Sequence, residues 1–289
     1  MNGPKVGAEP TARRRQLGLR LAALRAVSGL TAEQAGERAG LSKATVSRYE
    51  RAKGAVRWGH VDQLCRAYDA SDHEREELVD LAKQSRVTDC WWLPHADELA
   101  ESMRLLLAVE DEASRIAQHS LGVVPGLLQT EDYTRAIKAG PGERLSPEAM
   151  DRYVRMRARR QRILDRPSPP AYSVVLDEAV IRRRVGGPQV MAAQLDHLLD
   201  RSREPHVTIQ VLPFASGAHA AALYSFVMYG GSDPALDTAF VETLVGRLLL
   251  EEEQATAYAR AITFLRREAL DTTSSARLIA EARDTHLRT

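Results

Sequence analysis

The sequence predicts a multi-domain protein: an all-α domain of five helices that contains a helix-turn-helix, followed by an α/β (α+β) domain with a small mixed sheet. Three observations lead to this prediction. Residues 31–50 have the capping residues and glycine spacing of two short helices joined by a tight turn. The second half of the chain alternates helix-like segments with short β-branched or aromatic runs. At 289 residues, the chain also exceeds the usual size of one domain.

The segment TAEQAGERAGLSKATVSRYE, residues 31–50, predicts the helix-turn-helix. Thr31 and Ser42 can cap its two helices, because a hydroxyl oxygen accepts a hydrogen bond from a free backbone N–H at a helix start. Gly40 suits the turn, where a positive φ would strain any other residue, and Gly36 leaves room for a close helix crossing. The residues expected to face the core are Leu41, Val46 and Tyr49. A plain amphipathic hairpin is the alternative, but it would not require a glycine turn between two caps.

Short or cationic side chains occupy the outer face of the second helix of the motif. They are Lys43, Ala44, Thr45, Ser47 and Arg48. A helix that enters the major groove of DNA needs such a face. Apolar residues at helical spacing predict one helix before the motif and two after it. These residues are Leu17, Leu21 and Leu24, then Val61, Leu64, Cys65 and Tyr68, and finally Leu78 and Leu81.

Positive charge is concentrated around this motif. Residues 1–60 contain twelve Lys or Arg and four Asp or Glu, whereas the whole chain has a net charge of only +1. The cations that flank the motif are therefore predicted to contact DNA phosphates, although each taken singly could be an ordinary solvated charge. These cations are Arg13, Arg14, Arg15, Lys53 and Arg57.

The N-terminal segment resembles the Cro/cI-type (XRE) helix-turn-helix superfamily, and the resemblance extends over the flanking helices. It implies that four residues read DNA bases, namely Lys43, Ala44, Ser47 and Arg48. It also implies that Thr45 turns toward the DNA backbone and that Arg25 pairs with Glu50, which would lock the first helix to the recognition helix. Ala32 stands where many members have a phosphate-binding glutamine, so either Thr31 or a backbone N–H replaces that contact, or the contact is missing.

The C-terminal half predicts a mixed sheet of about four strands with helices packed on it. Helical spacing occurs in residues 96–119, 147–166, 188–202, 251–269 and 273–285. The predicted strands are Tyr172–Leu176, His206–Leu212, Tyr224–Tyr229 and Ala239–Thr243. The resulting division of the chain is a disordered tail at 1–12, the helix-turn-helix domain at 13–86, a linker at 87–95 and a sensor or partner-binding domain at 96–289.

Four sequence segments of the C-terminal half also resemble a known family, so that the resemblance covers nearly the whole chain. They are VPGLLQTEDYTRAI from Val124, YSVVLDEAVIRRRVGG from Tyr172, VTIQVLPFASGAH from Val207 and FVETLVGRLLLEEEQATAYARAITFLRREAL from Phe240. With the N-terminal motif they resemble the WhiJ-like regulators of actinomycetes. That resemblance implies an antitoxin-like transcription regulator tied to development or antibiotic production, with a small BldB-like partner protein.

Composition argues against several other classes of protein. The two cysteines, Cys65 and Cys90, form neither a disulfide framework nor a metal-binding spacing, so we expect reduced thiols and neither metal nor cofactor. No apolar run approaches the ~20 residues that span a bilayer. The opening MNGPKVGAEP lacks the apolar core of a signal peptide. We therefore expect a cytoplasmic protein without a membrane partner.

An enzyme is an alternative for the C-terminal half. Asp177 and Glu178 form an adjacent carboxylate pair at a strand end, and His206 and His219 flank a strand and its loop. Adjacent carboxylates point apart in an extended chain, so helix capping is the favoured role of this pair. The sequence contains no phosphate-binding glycine loop, nucleophile elbow or His/Cys metal cluster. We predict that the protein is not an enzyme.

Together these features predict a sequence-specific transcription regulator that binds a double-stranded DNA operator. We expect a homodimer with contacts mainly in the C-terminal half, because one recognition helix reads only a few base pairs. In the main alternative, the C-terminal domain sequesters a small protein partner and DNA binding serves autoregulation. A hydrolase or transferase recruited to DNA is the least favoured alternative. The sequence does not identify a small-molecule ligand.

Overall fold

The structure of the protein is a computed structural model that describes most of the chain. The described residues are 12–52, 56–84, 99, 101–140, 145–219, 221–231, 237–243 and 246–288. Residues 1–11 of the predicted tail, the predicted linker 87–95, Lys53 and Cys90 lie outside them. Contacts divide the chain into unit 1, Met1–Glu112, and unit 2, Ala113–Thr289.

The described part of unit 1 consists of helices. They are α1 (Ala12–Val27), α2 (Ala32–Ala39), α3 (Lys43–Glu50), α4 (Trp58–Ala67), α5 (Asp72–Gln84) and α6 (Glu101–Glu112). The first five correspond to the helices expected around the helix-turn-helix. Helix α6 contacts α1 and groups with unit 1, whereas the predicted boundary at residue 96 assigns it to the C-terminal domain.

A single apolar cluster joins α1–α5 of unit 1. Its fully buried members include Leu17, Leu21, Val46, Val61, Leu64 and Leu78. Burial of one such side chain contributes roughly 1.5–3 kcal/mol relative to exposure. The apolar stripes of the sequence therefore face one core, and the polar face of α3 is left outside.

Unit 2 is built around a six-stranded mixed sheet of described residues. The strands are β1 (Arg115–Ser120), β2 (Ala171–Asp177), β3 (Val207–Leu212), β4 (Phe226–Gly230), β5 (Thr238–Thr243) and β6 (Gly246–Leu250). Their order across the sheet is β3-β2-β1-β4-β5-β6. Strands β1, β2 and β3 run parallel, while β4, β5 and β6 continue the sheet by antiparallel pairing.

Two strands correct the sequence prediction. The predicted helix 96–119 is wrong beyond Glu112, because residues 115–120 form β1 in the middle of the sheet. Pairing with β2 on one side and β4 on the other satisfies the backbone of β1, so tertiary contacts outweigh its weak local strand preference. Strand β6, which includes Leu248–Leu250, was also not expected, and with β1 it raises the four expected strands to six.

Six described helices accompany this sheet. They are α7 (Glu131–Lys138), α8 (Pro147–Gln161), α9 (Glu178–Arg182), α10 (Pro188–Arg201), α11 (Glu252–Glu268) and α12 (Thr272–Arg288). Helix α11 packs on the sheet through a cluster that includes Val175, Phe226, Ala255 and Leu265. Helix α12 contacts α10 and β3. At the outer edge of β3, Leu270 N in the α11–α12 connection donates to Val211 O, and Val211 N donates to Ser275 Oγ in α12. No helix in the described parts of the chain is long and apolar enough to cross a membrane.

Candidate nucleic-acid interface

The helix-turn-helix is formed by α2, α3 and the turn between them. Thr31 Oγ1 accepts from Gln34 N at 3.2 Å, and Thr31 N donates to Gln34 Oε1 at 2.9 Å, which closes a capping box at the start of α2. Gly40 ends α2 in the left-handed region with φ 65°. Ser42 Oγ accepts from Thr45 N at 3.2 Å and caps α3. Side-chain and backbone groups thus fix both helix starts and the turn at the positions that the sequence indicates.

Two glycines allow the close approach of the helices around this turn. A Cβ on Gly36 would lie 2.6 Å from Leu41 O, so only glycine fits where α2 meets the start of α3. A Cβ on Gly18 of α1 would lie 2.5 Å from Glu50 O and 2.8 Å from Tyr49 O. The role of Gly18 could not be recognised from the sequence, because it depends on contact with a residue more than thirty positions away. Both glycines set the depth at which α3 sits in unit 1.

We call α3 the recognition helix. Its outer face carries the residues predicted to read bases. Lys43, Ala44 and Arg48 are exposed, and Ser47 is half-buried. Lys43 Nζ lies 3.5 Å from Glu33 Oε2, but both side chains are largely exposed, so this contact is weak and can exchange for DNA. The Arg48 guanidinium carbon lies 5.5 Å from the centre of the Tyr49 ring. The helix therefore presents two cations and two short side chains together on one accessible surface.

Arg25 and Glu50 form the ion pair that the superfamily resemblance implies. Arg25 Nε donates to Glu50 Oε1 at 2.6 Å, and Arg25 Nη2 donates to Glu50 Oε2 at 3.1 Å. A third donor, Arg25 Nη1, reaches Leu30 O at 2.8 Å. The hydrogen bond to Glu50 is the main reason that the pKa of Arg25 is raised above its usual value. This two-point contact ties α1 to the last residue of the recognition helix.

The residues predicted to bind phosphates do not all occupy exposed positions. Arg14 is only 6% exposed, so little of its side chain lies at the surface, and its phosphate contact stays a prediction. Arg15 is half-buried, whereas Arg57 is exposed at the start of α4. The side chain of Arg13 and all of Lys53 lie outside the described residues.

Two threonines were also predicted to contact the DNA backbone. The hydroxyl of Thr31 is exposed, but it already serves the capping box of α2. The hydroxyl of Thr45 lies 3.0 Å from Ser42 Oγ, and its side chain is half-buried. Both lie at helix starts, where backbone N–H groups and the helix dipole favour a phosphate. Arg51, which the sequence prediction did not include, is exposed directly after α3 and donates from Nε to Ser47 O at 3.1 Å.

A contact between Tyr49 and His60 supports the segment after the recognition helix. Tyr49 OH accepts from Arg57 N at 3.2 Å and lies 2.9 Å from His60 Nδ1. The two rings are stacked with centres 5.9 Å apart. Burial, followed by the nearby charges of Arg57 and Arg48, lowers the pKa of His60. This contact fixes Arg57 relative to α3, and it was not predicted because the residues belong to different helices.

Three of the four residues considered as catalytic candidates in unit 2 bond to backbone groups of neighbouring segments. Asp177 Oδ1 accepts from Ala179 N at 2.8 Å and caps α9, as the sequence favoured. Glu178 Oε2 accepts from Phe214 N at 2.9 Å, and His206 Nε2 lies 2.9 Å from Leu164 O. These three residues therefore use polar atoms to hold neighbouring backbone segments in place.

The described regions contain neither a reactive thiol nor a cluster of metal-binding side chains. Burial raises the pKa of the Cys65 thiol to about 11, which leaves it protonated and unreactive at neutral pH. Within the described residues, no group of three or more His, Cys, Asp or Glu side chains is placed to hold a metal ion.

Two family models match the chain, and together they cover both units. A helix-turn-helix domain model matches residues 16–78, which extend from α1 into α5. The model of a domain of unknown function (DUF5753) matches residues 103–281, which include the whole sheet. Neither a curated protein nor a solved structure matches the chain significantly.

Proposed function

Because the chain belongs to the DUF5753 family of domains of unknown function and carries a helix-turn-helix domain, we propose that it is a sequence-specific transcription regulator. In this proposal α3 enters the major groove, and Lys43, Ala44, Ser47 and Arg48 meet base edges. Arg48 is the best candidate for a two-point contact with guanine, and Ala44 suits a thymine methyl group.

The observation that carries this proposal is the fixed exposure of α3. Its inner residues Val46 and Tyr49 are buried, and the Arg25–Glu50 pair holds its end. The side chains on its outer face are short or cationic. Two cations of the segment that follows it in the chain, Arg51 and Arg57, are also exposed. A helix that is rigidly held and polar outside can bring a defined set of side chains to base edges without reordering on binding.

The test is a comparison of single variants on an operator selected from random duplex DNA with the full-length protein. Arg48→Ala is expected to cost about 1–3 kcal/mol on the selected operator and to relax the preference at one base pair. Arg57→Ala should weaken all sequences alike and lower the salt slope of binding by about one unit.

Two control variants separate base contact from charge. Arg203→Ala removes the same charge from an exposed site in unit 2 and should leave DNA binding unchanged. Arg48→Lys keeps the charge but not the planar two-point geometry, so it should lose most of the base preference. Unaltered operator binding by Arg48→Ala would show that α3 is not the reading helix.

The assignment of unit 2 within this proposal rests on sequence resemblance. We place the protein among cytoplasmic, WhiJ-like, antitoxin-like regulators of development or antibiotic production, acting as a homodimer with unit 2 as its sensor or partner-binding domain. The competing function is sequestration of a small BldB-like protein by unit 2. Co-purification of the full-length protein followed by mass spectrometry distinguishes the two, because a stoichiometric small protein supports sequestration.

A further inference from the structure

In the sheet of unit 2, the strands that follow β1 in the chain lie on both sides of β1. From β1 the chain continues to β2 and then β3 on one side, and it then crosses to β4 on the other side of β1. In open α/β sheets, ligands bind outside the carboxyl ends of the parallel strands at such a switch point. The carboxyl end of β1 is therefore the position to search for a ligand site in unit 2.

His119, the residue before the last of β1, lies at this position and is fully buried. Its Nδ1 is 3.1 Å from Val175 O. A carbonyl oxygen only accepts hydrogen bonds, so Nδ1 carries the proton and Nε2 presents a lone pair. Nε2 is buried and has no hydrogen-bond partner in the described part of the chain. A buried acceptor without a donor is costly, and such groups are few in native proteins.

A second histidine, His219, lies beside this acceptor. It belongs to the connection that runs from β3 to β4, and its ring centre is 5.7 Å from that of His119 at an angle of 73°. Its Nδ1 is also buried without a hydrogen-bond partner among the described residues. Phe226, the first residue of β4, contacts His119 with ring centres 5.9 Å apart. Two neighbouring imidazoles with unsatisfied nitrogens thus lie against an aromatic ring.

Apolar side chains are exposed in the segments at the same edge of the sheet. Each follows β1 or β3 or precedes β4, and they are Val123, Phe214, Leu223 and Tyr224, which are 40–78% exposed. Exposed apolar side chains that cluster around polar groups are typical of binding sites. The loops at this edge therefore offer apolar contact area at the end of the sheet where His119 lies.

We propose that the carboxyl end of β1 binds a small, neutral, partly aromatic molecule whose N–H or O–H group donates to His119 Nε2 and contacts His219. The apolar body of this ligand contacts the exposed side chains of the surrounding loops. A neutral ligand is favoured because the site is desolvated, and burial is the main cause of the lowered pKa of His119. An organic donor is favoured over a metal ion, because the described residues provide no third His, Cys, Asp or Glu ligand in this cluster.

The experiment uses the full chain with ¹³C-labelled histidine and follows the imidazole Cε1–H resonances by NMR. Benzamide is the probe because it is neutral and aromatic and has two N–H donors. N,N-dimethylbenzamide is the matched compound, since it has the same ring and carbonyl but no N–H. Benzamide should shift the His119 and His219 resonances in a saturable manner, and the dimethyl compound should bind about fivefold to tenfold more weakly, the effect of one lost hydrogen bond.

Variants test whether the preference for benzamide depends on His119 Nε2. His119→Phe should abolish the discrimination between the two compounds, and His219→Ala should reduce it. His286→Phe is the matched control, because His286 is also buried and lies within 2.9 Å of a backbone carbonyl, Ile181 O. Thermal unfolding establishes that each variant is folded.

Three results would overturn the proposal. One is that neither compound shifts the two histidines at millimolar concentration, and another is that both bind equally. The third is that zinc chloride binds His119 and His219 stoichiometrically at micromolar concentration, which would make the site a metal centre. DNA binding is measured separately in this protein, so failure of the ligand site and failure of the proposed regulator function are distinguishable.

Discussion

Arg25 shows how one side chain can set the position of α3. Its three hydrogen bonds reach Glu50 at the end of α3 and Leu30 before α2, so a single guanidinium connects α1 with both parts of the motif. The side chains of Arg25 and Glu50 are 25% and 10% exposed. Partial burial makes the loss of one partner more costly than at the surface, because the remaining charge keeps its desolvation without compensation.

Glu50→Ala is therefore expected to destabilise unit 1 by about 1.5–3 kcal/mol, as for other hydrogen bonds to charged groups. Hydrogen exchange of the α1 and α3 amides in the full chain measures this loss. Glu77→Ala is the control, since Glu77 pairs with Arg20 at 2.7 Å on an exposed surface and should have a much smaller effect. Equal protection factors in the two variants would show that the Arg25–Glu50 pair stabilises unit 1 no more than the exposed Arg20–Glu77 pair does.

His119 gives unit 2 a stability that depends on pH. Burial lowers its pKa most strongly; the neighbouring His219 lowers it further, whereas the Val175 carbonyl and Asp177 oppose the shift. A histidine with a lowered folded-state pKa takes up its proton more readily when unfolded. Its contribution to stability is complete above the unfolded pKa of about 6.5 and is lost as the pH falls from there to the folded-state value.

Urea unfolding between pH 5 and pH 7.5 should therefore show that unit 2 loses stability on acidification. His119→Phe should have a shallower dependence, because the protonation difference at this residue is removed. The variant also removes a buried acceptor without a donor, so it need not be less stable at neutral pH. If the variant retains the full loss of stability on acidification, another group is responsible.

At the scale of elements, local signals predicted unit 1 better than unit 2. The caps at Thr31 and Ser42 and the glycine turn at Gly40 are local, so the ends of α2 and α3 could be found from the sequence. Strands β1 and β6 could not be found from the sequence, because they depend on pairing with distant segments. Strand β1 pairs with β2 and β4, and β6 pairs with β5. The same reason explains the missed Tyr49–His60 contact, which joins two helices.

The crossing of α1 and α3 depends on Gly18. Gly18→Ala should push the two helices apart, because the new methyl group would overlap backbone oxygens of Tyr49 and Glu50, which cannot rotate away. We expect a loss of about 1–3 kcal/mol in unfolding free energy, typical of overpacking, together with weaker operator binding.

Gly59 provides the matched control for this substitution. It also lies in a helix, α4, but a Cβ there would meet no atom within 4 Å. Gly59→Ala should leave stability unchanged or raise it slightly, since alanine favours a helix more than glycine does. Chemical unfolding of the two full-length variants decides the matter, and equal stability of both would show that α1 and α3 do not cross as closely as described.

At the scale of the whole molecule, the need for specificity favours a pair of recognition helices. In the proposed function, one α3 with its four candidate base-reading residues reads only a few base pairs, which is too little to define a site in a genome. Two copies related by a twofold axis would read half-sites about 34 Å apart. In unit 2, the edge strand β6 pairs only with β5 among the described elements, and Leu248 on it is exposed. At the opposite edge strand, β3, the backbone N–H and C=O of Val211 are bonded to Ser275 of α12 and to Leu270 of the α11–α12 connection.

We therefore predict that the full-length protein is a homodimer in which the β6 strands of two copies pair. An open strand edge presents free backbone N–H and C=O groups that a second identical edge can satisfy. Sedimentation at micromolar concentration should give a dimer, and nuclease protection should give a pseudo-palindromic footprint. Leu248→Lys should shift sedimentation toward the monomer and shorten the footprint to one half-site, whereas Leu287→Lys, at another exposed leucine, should change neither. A monomer that protects an asymmetric site would refute the homodimer and would indicate that a different protein supplies the second DNA contact.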